Sequence, residues 1–161
     1  MSGKRRRGNA GRGEEVKRLT HDYLPHALSR LLNSLNLRLM DVLRPLKMTT
    51  QQYRVMQVLL VHQVASIGAI SRDAVIEQSV VSRVVDQLEK RGFVTRRRRP
   101  SNARIVEVSL TPFGLSVLRS INPHAQEIVA QAVGVLSSRD RQTLFRLLSA
   151  VLKTVHAPSA G

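Results

Sequence analysis

The stretch "QSVVSRVVDQLEKRGFVTRRRRPSNARIVEVSLT", Gln78 to Thr111, changes its periodicity at Gly92. Before the glycine, Val81, Val84, Val85 and Leu88 recur at i, i+3, i+4 and i+7, which defines one buried stripe on a helix. The opposite face carries Gln78, Ser79, Val80, Ser82, Arg83, Asp86 and Gln87. Gly92 supplies the left-handed residue that ends a helix, and Phe93 can fold back onto the last turn. After the glycine the period is two. Val94 to Arg98 reads as extended, "PSNA" as a turn, and Arg104 to Leu110 as a strand, with Val106, Val108 and Leu110 facing one way and Ile105, Glu107 and Ser109 the other.

Upstream, a short helix is expected over Ala69–Val75, separated from the Gln78 helix by only Ile76 and Glu77. Two helices so joined read as a helix-turn-helix, and a β-hairpin directly after it makes a winged helix. That answers why four arginines, Arg96 to Arg99, stand in a row. Like charges repel one another, but along a wing beside a duplex they face phosphates. Gln78, Ser79, Val80, Ser82 and Arg83 are then the base-reading candidates: arginine can bond guanine in a bidentate fashion, and Val80 can pack on a thymine methyl. Arg97, Arg98 and Arg99 are phosphate contacts with little sequence information. Arg104 is the candidate for a minor groove, where negative potential favours arginine. The bland alternatives are a solvated helix face for the first group and an internal brace of the wing for Arg104.

Outward from this centre, Leu28, Leu31, Leu32, Leu35, Leu39, Val42 and Leu43 mark an amphipathic helix over Leu24–Leu43, capped by Thr20 or Asp22, with Pro25 in its first turn and Pro45 beyond its end. "TTQQ", Thr49 to Gln52, has capping-box spacing and opens a helix to about His62. Thr111 and Pro112 start another helix, expected to bend near Asn122–Pro123 because proline removes a helical bond. A last helix over Ser138–Val155 lines up Leu144, Leu147, Leu148, Val151 and Leu152. The terminal helices carry more apolar surface than a small winged helix can cover alone, so a partner surface is expected. The fold class is mainly α with a small β-hairpin wing.

The 161 residues suit one domain, and 26 Lys plus Arg against 11 acidic residues leave a net charge of +15, which attracts polyanions. Cysteine is absent, so thiol chemistry and disulfides are excluded. The five histidines show no helical metal spacing, and neither a phosphate loop nor a nucleophile elbow occurs; no metal, cofactor or catalytic residue is expected. No apolar run reaches the roughly 20 residues of a membrane span, and no apolar stretch follows "KRRRGNAGRGEEVKR" as a signal peptide requires; the expectation is a cytoplasmic protein. Residues 1–18 read as a disordered basic arm and 157–161 as a loose tail.

From Leu24 to Val155 the sequence resembles the MarR family of winged helix-turn-helix transcription regulators. The family's recognition helix ends in a leucine, an acidic residue and a glycine, matched by Leu88, Glu89 and Gly92. Its wing runs D-x-R, five residues, then L-T-x-x-G, matched in spacing by Asn102, Ala103, Arg104, Leu110, Thr111 and Gly114. Asn102 replaces the family's aspartate, and Glu77 stands where a better N-cap is usual. The resemblance implies a domain over 19–156, with the winged helix at about 49–111 and dimerisation helices at about 22–44 and 112–156. It implies a homodimer on a pseudo-palindromic operator in double-stranded DNA. It also implies a repressor released by a small anionic aromatic ligand, an aromatic acid or its CoA thioester. Tyr23, His26, Arg30 and Tyr53 are the ligand candidates, His26 and Arg30 as partners of a carboxylate. The plainer reading makes Tyr53 core and Arg30 surface. The competing function, from charge alone, is a nonspecific nucleoid- or ribosome-associated binder; an enzyme finds no support.

Overall fold

The computed structural model describes residues 23–99 and 102–156, so the expected basic arm, the caps Thr20 and Asp22, the hairpin-tip residues Pro100 and Ser101 and the tail lie outside the described residues. Among the described residues six helices and a three-stranded sheet follow one another: α1 Leu24–Leu43, α2 Thr50–His62, β1 Val64–Ser66, α3 Ile67–Ala74, α4 Gln78–Lys90, β2 Val94–Arg99, β3 Asn102–Leu110, α5 Pro112–Val133 and α6 Ser138–His156, with a 3-10 turn at Arg44–Leu46.

Local chemistry places most of these boundaries. Thr49 and Gln52 form a reciprocal capping box, each side chain accepting from the other's backbone N–H at 3.1 Å. Ser66 caps α3 by accepting from Ala69 N–H at 3.3 Å, which starts that helix two residues earlier than periodicity alone suggests. Gly92, at φ +73°, closes α4 with paired bonds, Phe93 N–H to Leu88 C=O at 2.9 Å and Gly92 N–H to Glu89 C=O at 2.8 Å. Glu77 proves a competent N-cap for α4: its carboxylate accepts from Ser79 N–H at 3.1 Å.

The core is one cluster. Val55, Met56 and Leu59 of α2, Ile70 of α3, Val81, Val84, Val85 and Leu88 of α4, Val108 of β3 and Leu118 and Ile121 of α5 meet in it. The sheet order is β1-β3-β2, antiparallel throughout. β1 pairs Val64 with Ser109, Ala65 with Val108 and Ser66 with Glu107, so the wing has a third strand that periodicity did not announce. The β2–β3 register runs from Val94–Leu110 to Arg98–Val106 and slips before Arg99–Asn102. β3 therefore begins at Asn102, where a turn residue was expected, because the slip absorbs the residues between.

α5 runs from Pro112 to Val133 as one helix with Pro123 inside it. Leu118, Ile121 and Ile128 are buried on either side of the proline, and that packing carries the helix past the missing donor. α1 packs against α5 near its end, where Leu43 is fully buried and Leu39 and Val42 half-buried. Earlier in α1, Leu24, Leu28, Leu31 and Leu32 are exposed, as are Phe145, Leu147, Val151 and Leu152 of α6. No helix among the described residues is long and apolar enough to cross a membrane.

Candidate nucleic-acid interface

α4 is held rigidly enough to present a face. Its valine stripe is buried, and Gln52, buried at the start of α2, donates to Gln87 Oε1 at 2.9 Å. At its end Arg91 donates to Leu46 C=O at 2.6 Å and Lys47 C=O at 2.9 Å, and its guanidinium stacks 4.5 Å from the centre of Phe93. Phe93 lies 5.3 Å from Phe113, centroid to centroid.

With α4 so seated, Gln78, Ser79, Ser82 and Arg83 point to solvent. Gln78, Ser79 and Ser82 line one open cleft of about 670 Å3, with Ser66 and Gly68 at the start of α3 and Ile105 and Val106 of the wing opposite. Val80 is only half-exposed and packs partly on the core. Ser79 is already engaged: its hydroxyl as well as its N–H donates to Glu77. Those two bonds hold the Glu77 carboxyl below the usual range.

Three further polar residues of α4 serve the fold. Gln87 bonds Gln52, and Asp86 with Glu89 holds Arg96. The run of arginines is thus divided. Arg96 donates to Asp86 Oδ1 at 2.5 Å and, through Nε, to Glu89 Oε2 at 2.8 Å, which turns it inward instead of toward a phosphate. Its bonds hold the Glu89 carboxyl below the ordinary range and raise the Arg96 guanidinium further. Arg99 donates to Glu107 Oε1 across the hairpin at 2.7 Å, so its charge is shared with a carboxylate. Arg97 and Arg98 are exposed and pair with no carboxylate among the described residues. Asn102 is exposed at the start of β3. The main chain of Arg104 lies in β3, while its side chain is outside what is described.

Sequence reasoning missed Arg96, Asp86 and Glu89 as a unit. The signal available was two carboxylates at i and i+3 with an arginine seven residues beyond the second, across a helix end. It also left the L-T-x-x-G pattern as spacing alone. Thr111 Oγ1 accepts from Gly114 N–H at 2.9 Å and donates to Gly92 C=O at 2.6 Å. A Cβ on Gly114 would lie 1.9 Å from Phe93 C=O oxygen. The motif welds the end of the wing to the end of α4.

The four ligand candidates are not brought to one place. His26 and Arg30 share a shallow cavity of about 300 Å3 on α1 with Leu31 and Ser34. Tyr23 is exposed at the N-cap of α1. Tyr53 is buried, and its hydroxyl donates to Asn122 Oδ1 at 3.2 Å and bonds Gln57, whose amide donates to Asn122 at 2.7 Å. Burial raises the Tyr53 pKa, and the Gln57 bond opposes that shift.

Two helices joined by a tight turn, the second with an exposed polar face, and a three-stranded sheet ending in an arginine-bearing hairpin define a winged helix-turn-helix protein. The MarR family model matches residues 48–106, from just before α2 to the wing. A MarR family transcriptional regulator from Silicibacter pomeroyi superposes with a TM-score of 0.80 at 28% identity, covering 86% of this chain and 93% of that one. The HTH-type transcriptional repressor IacR of Pseudomonas putida is 24% identical over 110 residues, 68% of this chain and 66% of its own. BpsR of Bordetella bronchiseptica shares the fold, with a TM-score of 0.72 at 24% identity over 84% of this chain and 94% of that one; its structure concerns regulation of DNA binding by 6-hydroxynicotinic acid. The chain spans about half to two thirds of the length of the curated relatives it matches. The first two of these relatives are named for transcriptional regulation.

Proposed function

We propose that the protein is a sequence-specific DNA-binding transcriptional regulator that works as a homodimer on a pseudo-palindromic operator. One observation carries this reading: α4 buries Val81, Val84, Val85 and Leu88 while turning Gln78, Ser82 and Arg83 to solvent, beside a wing whose Arg97 and Arg98 have no carboxylate partner among the described residues. Gln78, Ser79, Val80, Ser82 and Arg83 read bases, Val80 through its exposed half; Arg97 and Arg98 hold phosphates, with Arg99, Asn102 and Arg104 completing the wing contact. The exposed leucines of α1 and the uncovered face of α6 are the dimer surface. Binding should be measured by anisotropy on duplexes selected from a random pool, against scrambled duplexes at fixed salt. A preference of roughly 10³ or more is expected. The charge of +15 favours a second reading, a nonspecific nucleic-acid binder, and a preference near one would establish it.

The regulator acts as a repressor, as the relative IacR is named, and is released by an anionic aromatic ligand, a class suggested by the 6-hydroxynicotinic acid that regulates DNA binding of BpsR. His26 and Arg30 offer such an acid two cationic or hydrogen-bonding partners on α1. Calorimetry with benzoates, cinnamates and their CoA thioesters, with and without operator, tests this. Coupling of roughly 1–3 kcal/mol is expected, and by linkage the operator must weaken ligand binding by the same factor. Ligand binding that leaves operator affinity unchanged would refute it.

A further inference from the structure

We infer that Arg96 is a positioning residue that locks the wing to the recognition helix, so that α4 and the hairpin meet DNA as one body. This role rests on the DNA-binding reading above and goes beyond it. The Glu89 carboxylate accepts from the Arg96 guanidinium and also from the Arg96 backbone N–H at 3.2 Å, and Asp86 takes a further guanidinium N–H at 2.5 Å. Two side chains one turn apart on α4 thus grip the first half of β2 by its backbone and its side chain together.

The position of this grip matters because β2 carries Arg97 and Arg98 immediately after it. Phosphate contacts are useful only in register with the groove that α4 enters. At the wing's base Thr111 and Gly114 anchor the end of β3 and the buried Phe93 and Val94 anchor the start of β2, and beyond Val94 the ladder and this ion cluster set the direction of β2. The cluster also explains charge placement. Two carboxylates on a DNA-facing helix would repel phosphates, and Arg96 offsets one of their two charges while drawing both toward β2, leaving the exposed cations of β2 to act on the duplex. The Arg96 and Glu89 side chains are each about one-third exposed, so salt competes with the pairing. Its worth lies in direction more than in stability.

The test is a double-mutant cycle with a second readout that needs no DNA. In free protein, Arg96→Ala should accelerate amide exchange across β2 and the outer half of β3 at least several-fold while leaving α2 and the buried turns of α4 unchanged; Glu89→Gln should do the same, and Arg96→Lys should restore part of the protection. On a duplex at about 0.1 M salt, Arg96→Ala should weaken binding roughly tenfold and make the salt slope shallower by up to about two units, as both following arginines lose register. In an Arg97→Ala/Arg98→Ala background the same substitution should cost almost nothing. Undiminished loss in that background would mean that Arg96 touches DNA itself or supports the whole fold, and would overturn the inference, as would unaltered hairpin exchange. If the unmodified protein binds no duplex, the DNA-binding reading falls, while the exchange result still decides whether Arg96 locks the wing.

Discussion

Gly114→Ala is expected to be among the most damaging single-methyl additions in this protein. An ideal Cβ there would sit 1.9 Å from Phe93 C=O oxygen, 2.8 Å from its carbonyl carbon and 3.0 Å from its Cα. An ordinary carbon–oxygen contact is about 3.3 Å, so backbone must yield by more than about 1 Å, and no side-chain rotamer can absorb it. The yielding carbonyl is the acceptor for Thr111 N–H at 3.0 Å, and Thr111 Oγ1 is bonded to Gly92 C=O at 2.6 Å. Losing both costs about 2 kcal/mol. Phe93 is 5% exposed, and shifting it surrenders part of the roughly 1.5–3 kcal/mol that its burial contributes. Replacing a helical glycine returns at most about 1 kcal/mol. The net loss is about 2–4 kcal/mol. Urea unfolding at one protein concentration, followed by circular dichroism, measures it. Gly68→Ala is the control, because the nearest atom to a Cβ there is a flexible Arg72 nitrogen at 3.8 Å. If Gly114→Ala falls within about 0.5 kcal/mol of the parent, the close approach of Phe93 to α5 has been misread.

Three further outcomes are expected. Val75 is a β-branched residue held at φ 53° in the turn between α3 and α4, and 71% of it is exposed; Val75→Gly relieves roughly 1–2 kcal/mol of strain against about 0.5–1 kcal/mol of added chain entropy. It should leave stability equal or raise it by up to about 1 kcal/mol in thermal unfolding, and a clear loss would show that the backbone is not strained. Arg83→Ala should relax preference at one base pair by roughly 1–3 kcal/mol, whereas Arg98→Ala should weaken all duplexes alike and reduce the salt slope by about one unit; equal weakening of every sequence by both would remove Arg83 from base reading. Glu89 has a folded-state pKa below its ordinary 4.5, so its stabilisation is fully present above pH 4.5 and is lost as pH falls through the lower folded value. Glu89→Gln should therefore flatten the decline in stability below about pH 4.5, and an unchanged acid limb would show that the carboxylate gains nothing from Arg96.

The parts of this fold that were legible in the sequence are those whose partners lie within one turn or one hairpin. The stripe Val81, Val84, Val85 and Leu88, the Thr49–Gln52 box, the Gly92 stop and the Thr111–Pro112 start each close over three to seven residues, so spacing and residue chemistry suffice to place them. The outward set Gln78, Ser79, Ser82 and Arg83 followed directly, because a helix with one buried face has only one other to show. What needed tertiary structure was every polar residue whose partner comes from elsewhere in the chain. Gln52 meets Gln87 across 35 residues, Gln57 meets Asn122 across 65, and Tyr53 meets Asn122 across 69, which turns a ligand candidate toward α5. β1 is a strand only because Val64 to Ser66 lie against β3 more than forty positions later. The arginine run shows the division most clearly. Four identical side chains promise one role, yet the fold puts carboxylates beside Arg96 and Arg99 and none beside Arg97 and Arg98 among the described residues. A side chain's type states which bonds it can make, and only the folded neighbourhood decides which of them it has already made.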